Sequence, residues 1–209
     1  KSCDIITNLV VATCDNEIYN YIESINGNVV MTSNKHERAT DRCAEALIII
    51  EEEEKVLYDI VIMIQGDEPM VHPEMITQAV SPMLDDSDID VTNLLGDIKD
   101  VKEFEDKNCI KVVCDLKGNA MYFSRQPIPT NSISKKAPRG KQICIIPFRR
   151  DFLLKYTKMT QTPLEIAESI DMMRIIENGI KIKMVKTEYS TQSVDTPSDI
   201  KKVINLLNK

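Results

Sequence analysis

At 209 residues the chain is long enough for one ordinary α/β domain, with a core that needs no disulfide or metal to hold it. Its 26 Lys and Arg against 33 Asp and Glu give a net charge of −7. That argues against a nucleic-acid binder or a protein of acidic membrane surfaces, while leaving room for one anionic substrate in a locally basic pocket. No apolar run approaches the roughly 20 residues that cross a bilayer. The first residues do not read as a secretory leader. The six cysteines, Cys3, Cys14, Cys43, Cys109, Cys114 and Cys144, form no C-x-x-C pair and are expected as reduced core thiols of a cytoplasmic protein.

In chain order, Leu9–Thr13 reads as a buried strand. Asp15 can cap the helix that follows, with Ile18, Tyr21, Ile22 and Ile25 at helical spacing. Asn26-Gly27-Asn28 breaks that helix, and Val29–Met31 is the next strand. Thr40–Ile50 is expected as a helix with Ala44, Leu47 and Ile48 on its inner face. Glu51–Glu54 is expected as its solvated end. Asp59–Ile64 is a strand apolar enough to be buried on both sides. A helix starts at Pro73, with His72 as a helix-start residue, and runs to about Met83. Asp90–Leu95 is another strand.

The middle changes character. Cys109–Cys114 and Ala120–Ser124 flank Asp115-Leu116-Lys117-Gly118, a hairpin signal in which Gly118 supplies the tight turn. Asn131–Lys141 is polar and basic, hence a loop, and Ile143–Phe148 is a strand. Thr162-Pro163-Leu164-Glu165 and Thr196-Pro197-Ser198-Asp199 are both capping boxes with Pro at the first helical position. Asn178-Gly179 ends the first of these helices, and Lys181–Val185 is a short strand between them. Strand–helix alternation around a hairpin-rich insert predicts an α/β fold, a mainly parallel central sheet covered by helices on both faces. In such sheets ligands collect beyond the carboxyl ends of the strands.

Two acids stand at such ends. Asp67, in Gln65-Gly66-Asp67-Glu68-Pro69, follows directly on a strand, and Asp195, in Ser193-Val194-Asp195-Thr196-Pro197, precedes a capped helix. On local pattern alone Asp67 is either a solvated turn residue or a ligand for Mg²⁺, which binds through one or two carboxylates plus substrate phosphates. Asp195 is either a helix-terminus acid or its partner. Two Arg and a His in His36-Glu37-Arg38-Ala39-Thr40-Asp41-Arg42 suit either an anionic ligand or an exposed loop with ion pairs. Arg125, at the end of the hairpin, could clamp a carboxylate or lie on the surface.

Taken in order, these motifs give the chain a resemblance to the 3-deoxy-manno-octulosonate (Kdo) cytidylyltransferases, the CMP-Kdo synthetases of lipopolysaccharide and capsule precursor synthesis. The stretches that carry it are Val10–Thr13, Met31-Thr32-Ser33 with His36 and Thr40-Asp41-Arg42, Gln65–Pro69, Ile110–Val113, Tyr122–Arg125 with Pro127-Ile128-Pro129, Pro163-Leu164-Glu165 and Val194–Pro197. The resemblance implies a nucleotide-diphospho-sugar transferase fold of Rossmann-like type and a homodimer built through the mid-chain hairpin. The implied reaction joins CTP to a 3-deoxy-ulosonic acid and releases pyrophosphate. By match, Asp67 and Asp195 are the catalytic pair and hold Mg²⁺ near the α-phosphate. Thr40, Asp41, Arg42 and Gln65 belong to the nucleotide side. Gln65, Arg125, Gln142 and Glu168 belong to the sugar side. No protein nucleophile is required.

Three departures from the family pattern stand out. The family opens with a strand and a loop of the form A-R-x-x-S-x-R-x-P-G-K whose Arg and Lys grip the triphosphate. Residues 1–209 are therefore expected as a single cytidylyltransferase domain lacking that strand and loop, most simply because the sequence is incomplete: a sheet without its first strand is hard to bury. Arg38-Ala39 stand where the family has Ser-Gly. Gln142 and Ile146 stand where it has His and Tyr on a sugar-facing strand, so the pocket is expected to discriminate differently among sugars. A nine-carbon acid of the neuraminate type is the alternative substrate, and a catalytically silent nucleotide-sugar-binding protein the alternative class.

Overall fold

The computed structural model describes residues 3–130, 132–133 and 137–208; parts of the expected Asn131–Lys141 loop, at 131 and 134–136, lie outside them. In chain order the first elements are β1 (Val11–Thr13), α1 (Asn16–Ser24), β2 (Val29–Met31), α2 (Ala39–Glu54), β3 (Ile60–Ile64), α3 (Pro73–Asp85), β4 (Thr92–Asp97) and α4 (Val101–Glu105). There follow β5 (Lys111–Cys114), β6 (Ala120–Ser124), β7 (Gly140–Ile143), β8 (Ile145–Arg149), α5 (Arg150–Tyr156), α6 (Pro163–Glu168), α7 (Met172–Glu177), β9 (Lys183–Lys186) and α8 (Pro197–Leu207). Among the described residues no helix is long and apolar enough to cross a membrane.

The local signals act as their chemistry dictates. Asp15 Oδ1 accepts the N–H groups of Glu17 and Ile18 at 2.7 and 3.2 Å, which starts α1. Glu165 accepts the Thr162 N–H at 3.3 Å and Asp199 the Thr196 N–H at 2.9 Å, the back-bond of a capping box, and His72 stands at the N-cap of α3. Gly118, at φ +76°, closes the β5–β6 hairpin in a conformation that a side chain resists.

The sheet is mixed, which corrects the expectation of mainly parallel strands. Among the described strands β1–β2 and β4–β9 pair in parallel, whereas β3–β8, β4–β7, β5–β6 and β5–β7 are antiparallel. The cause is the hairpin insert. Once β5 and β6 have turned back, β7 and β8 return against β4 and β3, filling places that a crossover helix would otherwise leave to parallel neighbours. A five-stranded sheet in the order β6-β5-β7-β4-β9 results, and a bridge between Val91 and Phe148 brings β8 alongside it. Both faces are packed: Ala44, Leu47, Phe148, Leu153, Tyr156 and Met173 belong to the larger cluster, and Met75, Ala79, Leu94, Ile143 and Ile145 to the smaller.

Other expectations also shift. On α2 the inward face is Thr40, Ala44, Leu47 and Glu51, a continuous helical stripe, so Ile48, one residue round the helix, is left 43% exposed. Glu51, expected in solvent with Glu52–Glu54, is buried and takes the Nε–H and Nη2–H of Arg150, both at 2.7 Å. The cysteines are free thiols, but Cys14 is exposed and the other five only partly buried, so they are not core residues in the full sense. The expected strand Ile143–Phe148 is broken at Cys144. The helix expected from Pro163 to Asn178 is broken at Ser169, which holds a left-handed backbone at φ +54°. Both breaks open onto the same place.

Candidate active site

The Gln65–Pro69 turn leaves the carboxyl end of β3 and docks onto the break between β7 and β8. A broken strand leaves backbone groups without ladder partners, and this turn supplies them. Gln65 N–H donates to Cys144 O at 3.2 Å, and Glu68 Oε1 accepts Cys144 N–H at 3.2 Å. From the other side Asn93 Nδ2 donates to Ile143 O at 2.7 Å. The turn is closed by Glu68 N–H to Gln65 O, and Val194 N–H donates to Asp67 O at 2.9 Å. That last bond joins the two acid-bearing loops.

The loops that carry Asp67 and Asp195 therefore converge. Burial pushes the Asp67 carboxyl above its ordinary range, and the charge of Asp195 pushes it the same way. Glu68, buried beside them, is raised by burial first, with Asp67 and Asp195 adding to the effect. Asp67 Oδ1 and Glu68 Oε2 are buried with no hydrogen-bond partner. Two neighbouring carboxylates with an unsatisfied oxygen form a donor set that suits a hard divalent cation. Among the described residues no three His, Cys, Asp or Glu side chains gather into a full cage, so protein would supply few of such an ion's ligands.

At the β7–β8 break onto which this turn docks lies a cavity of about 280 Å³. Its walls come from the entrance of α2 (Glu37, Arg38), the end of β3 (Gln65), the hairpin base (Arg125), the β7–β8 break (Gln142, Cys144, Ile146) and the α6–α7 turn (Ser169, Asp171). The Cys144 thiol is pushed well up by burial, with Glu68, Asp67, Asp171 and Asp195 all adding to the effect. The thiol therefore stays protonated and unsuited to nucleophilic attack; of those acids Asp171 lines the cavity.

The structure brings Gln65, Arg125 and Gln142 together on this cavity. Gln142 gives its side-chain N–H to Asn93 Oδ1 at 2.6 Å. Glu168 sits behind the wall, accepting Tyr122 O–H, Ser124 O–H and Arg125 N–H at 3.2, 2.9 and 3.0 Å. Arg125 is itself held: its guanidinium donates to the carbonyls of Glu168, Lys107 and Ser169. The buried Lys111 ammonium anchors its carbonyl at 2.7 Å. Three of its five N–H groups are thus occupied in this state.

The Thr40-Asp41-Arg42 segment is placed differently from Gln65, Arg125 and Gln142. Thr40 is fully buried and donates its hydroxyl to Asp171 at 2.8 Å, tying α2 to the α6–α7 turn. Arg42 donates to Thr32 Oγ1 and Ser33 O, and His36 pairs with Glu45 at 2.5 Å. Asp41 is half-buried in the first turn of α2. Sequence reasoning missed Glu68 and Asp171 as site residues. Glu68 stood inside a motif already singled out, whereas Asp171 had no local signal, because its helix was read as unbroken.

A mixed α/β sheet with a carboxylate pair beyond its strand ends and a polar cavity beside it describes a nucleotidyltransferase. Comparison with known proteins agrees: the cytidylyltransferase family model matches residues 1–182, and the chain belongs to that family. The 3-deoxy-manno-octulosonate cytidylyltransferase of Geobacter metallireducens is 38% identical over 98% of this chain and 83% of the relative. The protein of the same name from Fusobacterium nucleatum is 37% identical over 98% and 81%. A solved structure of CMP:2-keto-3-deoxy-manno-octonic acid synthetase complexed with CTP superposes with a TM-score of 0.88 at 33% identity, covering 99% of this chain and 83% of that one. A putative glucose-1-phosphate thymidylyltransferase from Bacillus anthracis shares the fold at a TM-score of 0.64 and 11% identity, over 98% and 77%.

Proposed function

We propose that the protein couples CTP to a 3-deoxy-ulosonic acid, Kdo or a close relative, giving the CMP-sugar and pyrophosphate for lipopolysaccharide or capsule synthesis. The observation that carries this reading is the buried, partnerless Asp67 Oδ1, on a turn bonded to the Asp195 loop and two residues from Gln65, which lines a cavity with Arg125 and Gln142. Asp67 and Asp195 would hold Mg²⁺, which when bound offsets phosphate charge and aligns the attacking and departing oxygens. Glu68 holds the Asp67 turn on the β7–β8 break, so the carboxylate is positioned before substrate arrives. Gln65 and Gln142 offer amide groups to sugar hydroxyls, and Arg125 offers its remaining N–H groups to the sugar carboxylate. Cys144 and Ile146 close the wall and keep water from it.

On this reading the enzyme works in the cytoplasm as a homodimer joined through the β5–β6 hairpin, and Thr40, Asp41 and Arg42 shape the cytidine side. The test is pyrophosphate release from CTP with Kdo, with N-acetylneuraminate and with no acceptor, in Mg²⁺ and in EDTA. Release with Kdo and Mg²⁺ alone supports the proposal. Release only with the nine-carbon acid, or none with any acid, overturns it.

A further inference from the structure

The residue at the N-cap of α2 is Arg38, with extended backbone at φ −118° and ψ 144° and no side-chain cap bond. That choice goes against two local preferences. An N-cap favours a short side chain that accepts a backbone N–H, which Arg cannot do. A helix N-terminus also carries partial positive charge and disfavours a cation. Residues that break local rules in an otherwise consistent chain point to function, and Arg38 lies on the cavity wall.

Its guanidinium reaches across to the α6–α7 turn. Nη1 donates to Ser169 Oγ at 3.1 Å, and Nε lies 3.4 Å from Asp171 Oδ1. Arg125, also on the cavity, donates its Nη2–H to the Ser169 carbonyl at 3.2 Å. Two guanidinium groups thus meet at one residue, the non-glycine Ser169 held at φ +54°. The acids facing Arg38 are shared with other partners. Asp171 Oδ2 takes the Thr40 hydroxyl, and Glu165, 4.0 Å away, is bonded twice by Arg174. Among the described residues Arg38 Nη2 has no hydrogen-bond partner.

We infer that Arg38 is a specificity-determining residue of the acceptor pocket, a second cation that binds the sugar-acid carboxylate together with Arg125. This rests on the acceptor reading above. The helix start gives up its cap to place a planar, bidentate donor where an acidic substrate enters. Neutral sugars of the same shape gain nothing from it, so the residue selects for the acid.

Arg38→Ser tests the inference with little risk to folding, because serine can cap α2. The KM for the acid should rise about ten- to a hundredfold, the loss expected for a charge-assisted hydrogen bond, while kcat and the KM for CTP stay within about threefold. Arg38→Lys should recover part of the affinity, and Arg38→Ser should melt within a few degrees of wild type, because the serine cap offsets the loss of the Asp171 pair. An acid KM within about twofold of wild type, or a rise confined to CTP, overturns the assignment. Wild-type protein that turns over no 3-deoxy-ulosonic acid overturns the acceptor reading itself. Normal wild-type turnover with an unchanged Arg38→Ser KM removes only the role of Arg38.

Discussion

Asp67→Asn should make the metal-free protein more stable and nearly inactive, a combination that distinguishes a ligand carboxylate from a structural one. The Asp67 carboxyl is half-buried, its Oδ1 has no partner, and Asp195 adds a like charge. Its folded pKa is therefore raised above the unfolded one. At neutral pH the ionised group weakens the fold, and that penalty is relieved as pH falls and the native state takes up the proton first. An unpaired buried polar group costs about 1–3 kcal/mol, and half-burial places Asp67 near the low end, at about 1 kcal/mol. In a chain of this size that is about 2–4 °C of melting temperature. Calorimetry in EDTA should show the variant melting higher than wild type by that amount at pH 7.5, with the gap closing as pH falls into the ordinary carboxylate range. Mg²⁺ with CTP should raise the wild-type transition and leave the variant unmoved, and pyrophosphate release should fall at least about a hundredfold. A variant that melts below wild type in EDTA, or one with undiminished turnover at saturating Mg²⁺, would refute the reasoning.

Three other changes have defined outcomes. Glu165→Gln keeps shape but leaves the buried Arg174 unpaired beneath the α6–α7 turn, so a loss of about 3–5 kcal/mol is expected. That is a drop of about 6–20 °C in melting temperature, and a change within the scatter of repeat scans would contradict it. Arg125→Ala should raise the KM for the sugar acid more than that for CTP; steady-state kinetics with the reverse pattern would move Arg125 to the nucleotide side. Asp199 is held down to about 2 by Lys202 and by the Thr196 cap. Its contribution is present above the unfolded carboxylate range and is lost as pH falls through about 2. Acid titration of the unfolding midpoint should show that loss in wild type and not in Asp199→Asn.

Much of the architecture could be read from local chemistry, because caps, turns and apolar runs act over a few residues. Asp15, the two threonine capping boxes and Gly118 do what their types predict. The places of Asp67 and Asp195 at element ends were also legible, since the pattern marks those ends, but the meeting of their loops through Val194 N–H and Asp67 O was not. What the sequence hid depends on contacts far along the chain. Glu51 turns inward because Arg150, 99 residues on, meets it there. Glu68 serves the Cys144 break 76 residues away, and Thr40 and Arg38 meet Asp171 and Ser169 across 131. No window of local sequence contains both partners of such a bond. The antiparallel return of β7 and β8 was obscured for the same reason: strand signals carry no direction, and helix–strand alternation alone favours parallel pairing.

The most direct test is anomalous scattering from Mn²⁺ in crystals grown with CTP. A peak shared by the Asp67 and Asp195 carboxylates, with the nucleotide α-phosphate against it, is the predicted result. Ordered CTP with its metal bound elsewhere, or with those two side chains turned away from it, would contradict the assignment.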